Sequence, residues 1–157
     1  MATVIHSHSN SGYTHAIKFD HTDIERYETP SEVEFSGILP DRWVLRDACV
    51  YVNEPFMTQL PANEPAVYLN VELNEPSGLT PSACWFSGVD LTNNTGPILN
   101  DPWGSARVLA CAYGNHGGNV VISFGHVGAD ASNWWAKGQA AVLLNVIDAG
   151  EIAKGIT

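Results

Sequence analysis

One stretch limits the possible folds more than any other. In "AVYLNVEL" (66–73), Val67, Leu69, Val71 and Leu73 fall on one face, and Tyr68, Asn70 and Glu72 on the other. Side chains alternate across a β-strand, so a two-residue apolar period sets one face against a core and the other toward water. The period recurs. "NVVISFGHV" aligns Val120, Ile122, Phe124 and His126, and "WVLRDACVYVN" aligns Ala48, Val50 and Val52 after an irregular start at Trp43. "QAAVLLNVID" aligns Ala140, Val142, Leu144 and Val146, and is apolar enough to predict cover on both faces. "HAIKFD", "EVEFSGIL" and "SARVLACAY" are weaker strand candidates. No long stretch carries a 3.6-residue apolar repeat free of Gly and Pro, and "HTDIERYETPSEV" holds one helical turn at most before Pro30.

Between these runs lie segments dense in Pro, Gly, Asn and Ser, such as "NEPFMTQLPANEP", "NEPSGLTPSA", "DLTNNTGPILNDPWG" and "YGNHGG". Short strands separated by such turn chemistry define an all-β chain. A parallel sheet would need crossover helices, for which there is no room. Residues 53–66 and 87–105 read as loops longer than hairpin connections, which suits a chain passing from sheet to sheet. The expectation is a single antiparallel β-sandwich of jelly-roll or Greek-key type with about seven to eight strands. It occupies residues 13–150, after a flexible, extended N-terminal arm (1–12) and before a C-terminal tail (151–157).

The charge excludes some partners. A formal net charge of −10, with seven Lys and Arg in all, leaves no basic cluster to displace counterions from phosphates, so nucleic acid is not a partner. Anionic membrane surfaces are excluded for the same reason. No apolar run approaches the ~20 residues of a spanning helix, and "MATVIHSHSNSGY" lacks the basic start and apolar core of a secretory signal. Cys49, Cys84 and Cys111 are odd in number and widely spaced, which predicts buried thiols made in a reducing cytoplasm.

No motif for catalysis emerges. "YGNHGGN" precedes a strand rather than a helix and lacks a Lys, so it does not cradle phosphate. There is no GxSxG turn, and the sequence proximity of Cys111 and His116 does not make a catalytic pair. The carboxylates Asp41, Asp47, Asp90, Asp101, Asp130 and Asp148 sit in predicted loops or strand ends, where Asp stabilises turns. "DLTNNTG" (90–96) and "GADASN" (128–133) are oxygen-rich without the ligand spacing of a calcium loop. The chain is expected not to be an enzyme and to carry no cofactor.

Two features suggest binding. His6 and His8 share one side of an extended chain, and with His15 or His21 they form a weak candidate set for Zn²⁺ or Ni²⁺ through imidazole nitrogens. Their setting, "HSHSNSGY", is small and polar, and suits an arm in which His6, His8 and Tyr13 contact a partner, for instance by adding a strand to its sheet edge. His126 falls on an apolar face and reads as a hydrogen-bonded core residue. Trp134 and Trp135 are adjacent before the last strand. Neighbours in extended chain point opposite ways, so at least one indole is expected to be exposed for a sugar ring or a protein contact.

The order of segments resembles small β-sandwich structural proteins of tailed-phage virions, of the capsid decoration or cement type. The residues that carry the likeness are Leu39, Pro40, Val44, Leu45, Val50, Val52 and Phe56 within "DIERYETPSEVEFSGILPDRWVLRDACVYVNEPF", then "AVYLNVEL", "SGVDLTNNTG" and "NVVISFGHVGADASNWWAKGQAAVLLNVID". They span about residues 17–148, and are hydrophobic positions and turns rather than catalytic motifs. The tryptophan pair and the "NEPFMTQLPANEP" loop are bulkier than that pattern, and the histidine-rich start has no counterpart in it. The resemblance implies a location on the capsid surface, a homo-oligomer (a trimer) and the major capsid protein as partner. A tail-fibre or receptor-binding module contacting host glycan, and a stand-alone carbohydrate-binding domain or small enzyme, are the alternatives left open.

Overall fold

The computed structural model describes residues 3–6, 13–24, 31–60, 65–74, 83–93, 95–98, 112–114, 117–130 and 132–151. Ten strands account for most of them: β1 (Thr3–His6), β2 (His15–Asp20), β3 (Ser31–Leu39), β4 (Trp43–Thr58), β5 (Ala66–Asn74), β6 (Ala83–Asp90), β7 (Gly96–Ile98), β8 (Ala112–Gly114), β9 (Gly118–Val127) and β10 (Trp135–Asp148). One sheet runs β1-β2-β10-β4-β7, with β8 also on β4, and the other runs β3-β9-β5-β6. Every pairing is antiparallel. We call these sheets A and B.

The pairings nest. β5 pairs with β6, β4 with β7 and β8, β3 with β9, and β2 with β10. A long antiparallel ribbon rolled so that successive strands alternate between two sheets has this order, which is the jelly roll. The expected sandwich is therefore present, but periodicity did not reveal β1, β6 or β7, and met β8 only at the end of "SARVLACAY". A strand of three or four residues is too short for an alternation to register, and in β6 a register shift between Phe86 and Val89 breaks it.

The period-two faces are where the sequence placed them. Val67, Leu69, Val71 and Leu73 of β5 are buried, as are Val120, Ile122 and Phe124 of β9, Ala48, Val50 and Val52 of β4, and the even-numbered residues Ala140 to Val146 of β10. Together with Ile17, Phe19 and Phe56 they form one core between the sheets. The Phe19 ring meets that of Phe124 edge-on at 5.2 Å, joining sheet A to sheet B.

Four expectations need correction. The outward positions Ala141, Leu143 and Asn145 of β10 are only half-buried, so that strand is not covered equally on both faces. Residues 53–58, read as loop, continue β4 to Thr58. Pro55 is tolerated there because the β4–β10 register slips between Trp135 and Ala140, so its missing N–H falls where the ladder is already interrupted. Within the arm expected to be flexible, Thr3–His6 is edge strand β1, paired with β2 from Thr3↔Lys18 to His6↔His15. The long loop predicted from residue 87 begins only after β6 ends at Asp90 and is interrupted by β7.

Cys49 is a buried thiol, its Sγ 3.5 Å from the Val50 carbonyl oxygen. The Cys84 side chain, Cys111, His8 and residues 152–157 of the expected tail lie outside the described residues.

Candidate functional site

The histidines do not assemble around an ion. His15 is buried, and its Nδ1 lies 2.9 Å from Thr14 Oγ1. That hydroxyl donates its one proton to the Leu144 carbonyl at 3.1 Å and accepts from the Val146 N–H at 2.8 Å. The His15 Nδ1 is therefore the N–H donor of the pair, and only Nε2 keeps a lone pair. His21 stands at the other end of β2, roughly 20 Å away along a strand rising about 3.3 Å per residue. It cannot complete a site with His15. Register sets His6 opposite His15, but among the described residues no group of three or more His, Cys, Asp or Glu side chains could hold a metal. Tyr13 is half-buried just before β2.

Neither indole of the tryptophan pair is exposed: Trp134 is 8% and Trp135 4% accessible. The expected alternation does not apply, because Trp134 precedes β10 and only Trp135 lies within it. Trp134 packs edge-on against His126, with ring centroids 4.9 Å apart. His126 faces inward by its pairing with Val67, and burial holds its pKa below the ordinary 6.5.

In the two oxygen-rich loops the aspartates spend their oxygens on the turn itself. Asp130 Oδ1 accepts from the Ser132 hydroxyl (2.6 Å) and from the backbone N–H groups of Ser132 (2.8 Å) and Asn133 (3.0 Å). Those bonds hold its carboxyl below the usual range. Asp90 Oδ1 accepts from the Thr92 N–H at 2.8 Å, while Asp90 Oδ2 takes the Asn93 amide at 3.1 Å. Both are turn-stabilising Asp residues.

Two surfaces remain that sequence reasoning did not find. The first lies at the end of the sandwich where β4 finishes. Met57 (50% accessible), Leu60 (60%), Val127 (56%) and Tyr68 (37%) are exposed large apolar side chains there. Met57 and Tyr68 line one depression of about 560 Å³ with Pro65, Ala66, Thr92 and Asn93. Val127 pairs with Ala66, one step along the same outward face from Tyr68. The Asn133 amide grips the backbone of Leu60 with two 2.7 Å bonds, so this rim is held in place.

The second surface is a hollow of about 540 Å³ on the outward face of sheet A, lined by Lys18, Asp20, Tyr51, Asn53, Gln139 and Ala141. The register brings them together: Ala141 is opposite both Lys18 and Tyr51, and Gln139 is opposite Asp20. Burial pushes the Asp20 carboxyl up, but the hydroxyl and backbone N–H of Thr22 outweigh it, and the pKa lies below 3.8.

No protein-family model, curated protein or solved structure matches this chain. Its function has to be reasoned from these surfaces.

Proposed function

We propose that this chain is a structural protein of a tailed-phage virion, a decoration protein that docks on the outside of the head and stabilises the shell by bridging major capsid protein subunits. The observation that carries the reading is the apolar end formed by Met57, Leu60, Tyr68 and Val127. Clustered exposed apolar side chains on a small acidic domain fit a macromolecular contact. The jelly roll is compatible, since virion and lectin domains both use it, although a fold alone does not fix a role. The resemblance over about residues 17–148 supplies the head as the partner, and a trimer is the assembly we propose.

Bridging stabilises by mass action: a protein that binds only the assembled shell raises the shell's melting temperature. The test is co-sedimentation with purified heads, together with head melting. Binding with raised melting is expected, and replacing both Met57 and Leu60 by Glu is expected to weaken it at least tenfold, about 1.4 kcal/mol. Heads indifferent to the protein in both assays overturn the proposal. The alternative of a glycan-binding module through Trp134 or Trp135 loses its basis, because both indoles are buried.

A further inference from the structure

We infer that the hollow on sheet A is a binding site for a neutral saccharide, separate from the apolar end and independent of the virion reading. Its floor is low because the residue at its centre is Ala141, between Lys18 of β2 and Tyr51 of β4. Three adjacent strands at roughly 4.8 Å spacing make it about 10 Å across, room for a short oligosaccharide.

The lining has the chemistry of sugar recognition. Tyr51 is 43% accessible, so its ring offers an apolar surface to the C–H side of a pyranose. On the same floor the Asn53 Nδ2 donates to Gln139 Oε1 at 3.2 Å. One such bond fixes both amides and leaves Asn53 Oδ1 as an acceptor and the Gln139 amide as a donor toward the hollow. A vicinal diol presents a donor and an acceptor together and matches that pair. Lys18 adds a donor at the opposite wall, where the Asp20 carboxylate is held by the hydroxyl and N–H of Thr22.

Charge and topology narrow the ligand class. One cation and one anion in the lining cancel, so neither phosphate nor an oligocation is selected. The hollow lies over the middle of a sheet, where β2, β10 and β4 already pair with one another. No unpaired strand edge is offered inside it, so an extended peptide has no backbone to join. A small, rigid, uncharged, hydroxyl-rich ligand fits what is left.

The test is an array of neutral, sulfated and sialylated mono- to tetrasaccharides probed with the full chain, followed by calorimetric titration of each hit. Binding to at least one neutral saccharide is expected. Tyr51→Ala should weaken it about tenfold, and Ala141→Gln, which fills the floor, should abolish it, both with unchanged melting temperature. Gln139→Ala, a smaller cut, should lower affinity several-fold. Absence of neutral-saccharide binding at millimolar concentration, binding confined to sulfated or sialylated glycans, or binding that Tyr51→Ala leaves unaltered overturns the assignment. Capsid co-sedimentation by Tyr51→Ala is expected to match the wild type, so the two proposals fail separately.

Discussion

The two ends of the sandwich are both plugged by tryptophan, and the plugs differ. Where β4 begins, Trp43 is buried and its Nε1 donates to the Gly117 carbonyl at 2.8 Å. Backbone bonds from Gly117 to Asp41 and from Ala149 to Arg42 tie the turns around it. Where β4 ends, Trp134 and Trp135 are buried, but Trp135 Nε1 has no hydrogen-bond partner among the described residues. Met57, Leu60 and Val127 stand exposed beside them. A satisfied plug with polar turns around it is an end finished by the chain itself. A plug with an unmatched polar atom and an apolar rim is an end that another surface can complete.

The sharpest way to break this comparison is through the glycine packed at each end. A Cβ on Gly138 would lie 2.4 Å from Phe56 Cγ, and its φ of +138° disfavours any side chain. A Cβ on Gly118 would lie 2.6 Å from Leu39 Cδ1 and 2.9 Å from Trp43 Nε1, with ordinary backbone. Gly138→Ala is expected to cost about 3–5 kcal/mol and Gly118→Ala about 2–3 kcal/mol, measured by denaturant unfolding. Equal costs would mean that the backbone strain at Gly138 contributes nothing.

A second contrast is smaller. Trp43→Phe leaves the Gly117 carbonyl without its donor and should cost about 2–3 kcal/mol. Trp135→Phe loses no such bond and should cost under about 1.5 kcal/mol. A reversed order would show that the Trp135 N–H is satisfied after all.

The smallest effect concerns pH. The folded pKa of His126 lies below 6.5, so the unfolded chain takes up its proton first. The stability this residue contributes is present above pH about 6.5 and is lost as pH falls below it. Replacing His126 by Phe should flatten the fall in melting temperature between pH 7.5 and about pH 5. Asp20 and Asp130 also have lowered values, but their contribution is lost only as pH drops below about 3.8, so the windows do not overlap.

The core was legible because one-sided burial writes itself into alternate residues, as in Val67 to Leu73 and Ala140 to Val146. The surfaces were not, because each depends on three or more separated segments. Ala141 looks like any small strand residue until the register sets it between Lys18 and Tyr51. Tyr51 and Met57 are single apolar positions whose exposure follows from which elements cover them. The tryptophan pair misled for a local reason, since alternation applies only where both residues lie in the strand. Pro55 hid the second half of β4 because a bulge accommodates it.

The nested pairing has a consequence for synthesis. β9 lies between β3 and β5, and β10 lies between β2 and β4. These central strands emerge from the ribosome after all the other described strands. Until then neither sheet can close, whichever outer pairs have formed. The nascent chain therefore cannot present a finished sandwich to any neighbour before β10 has been made.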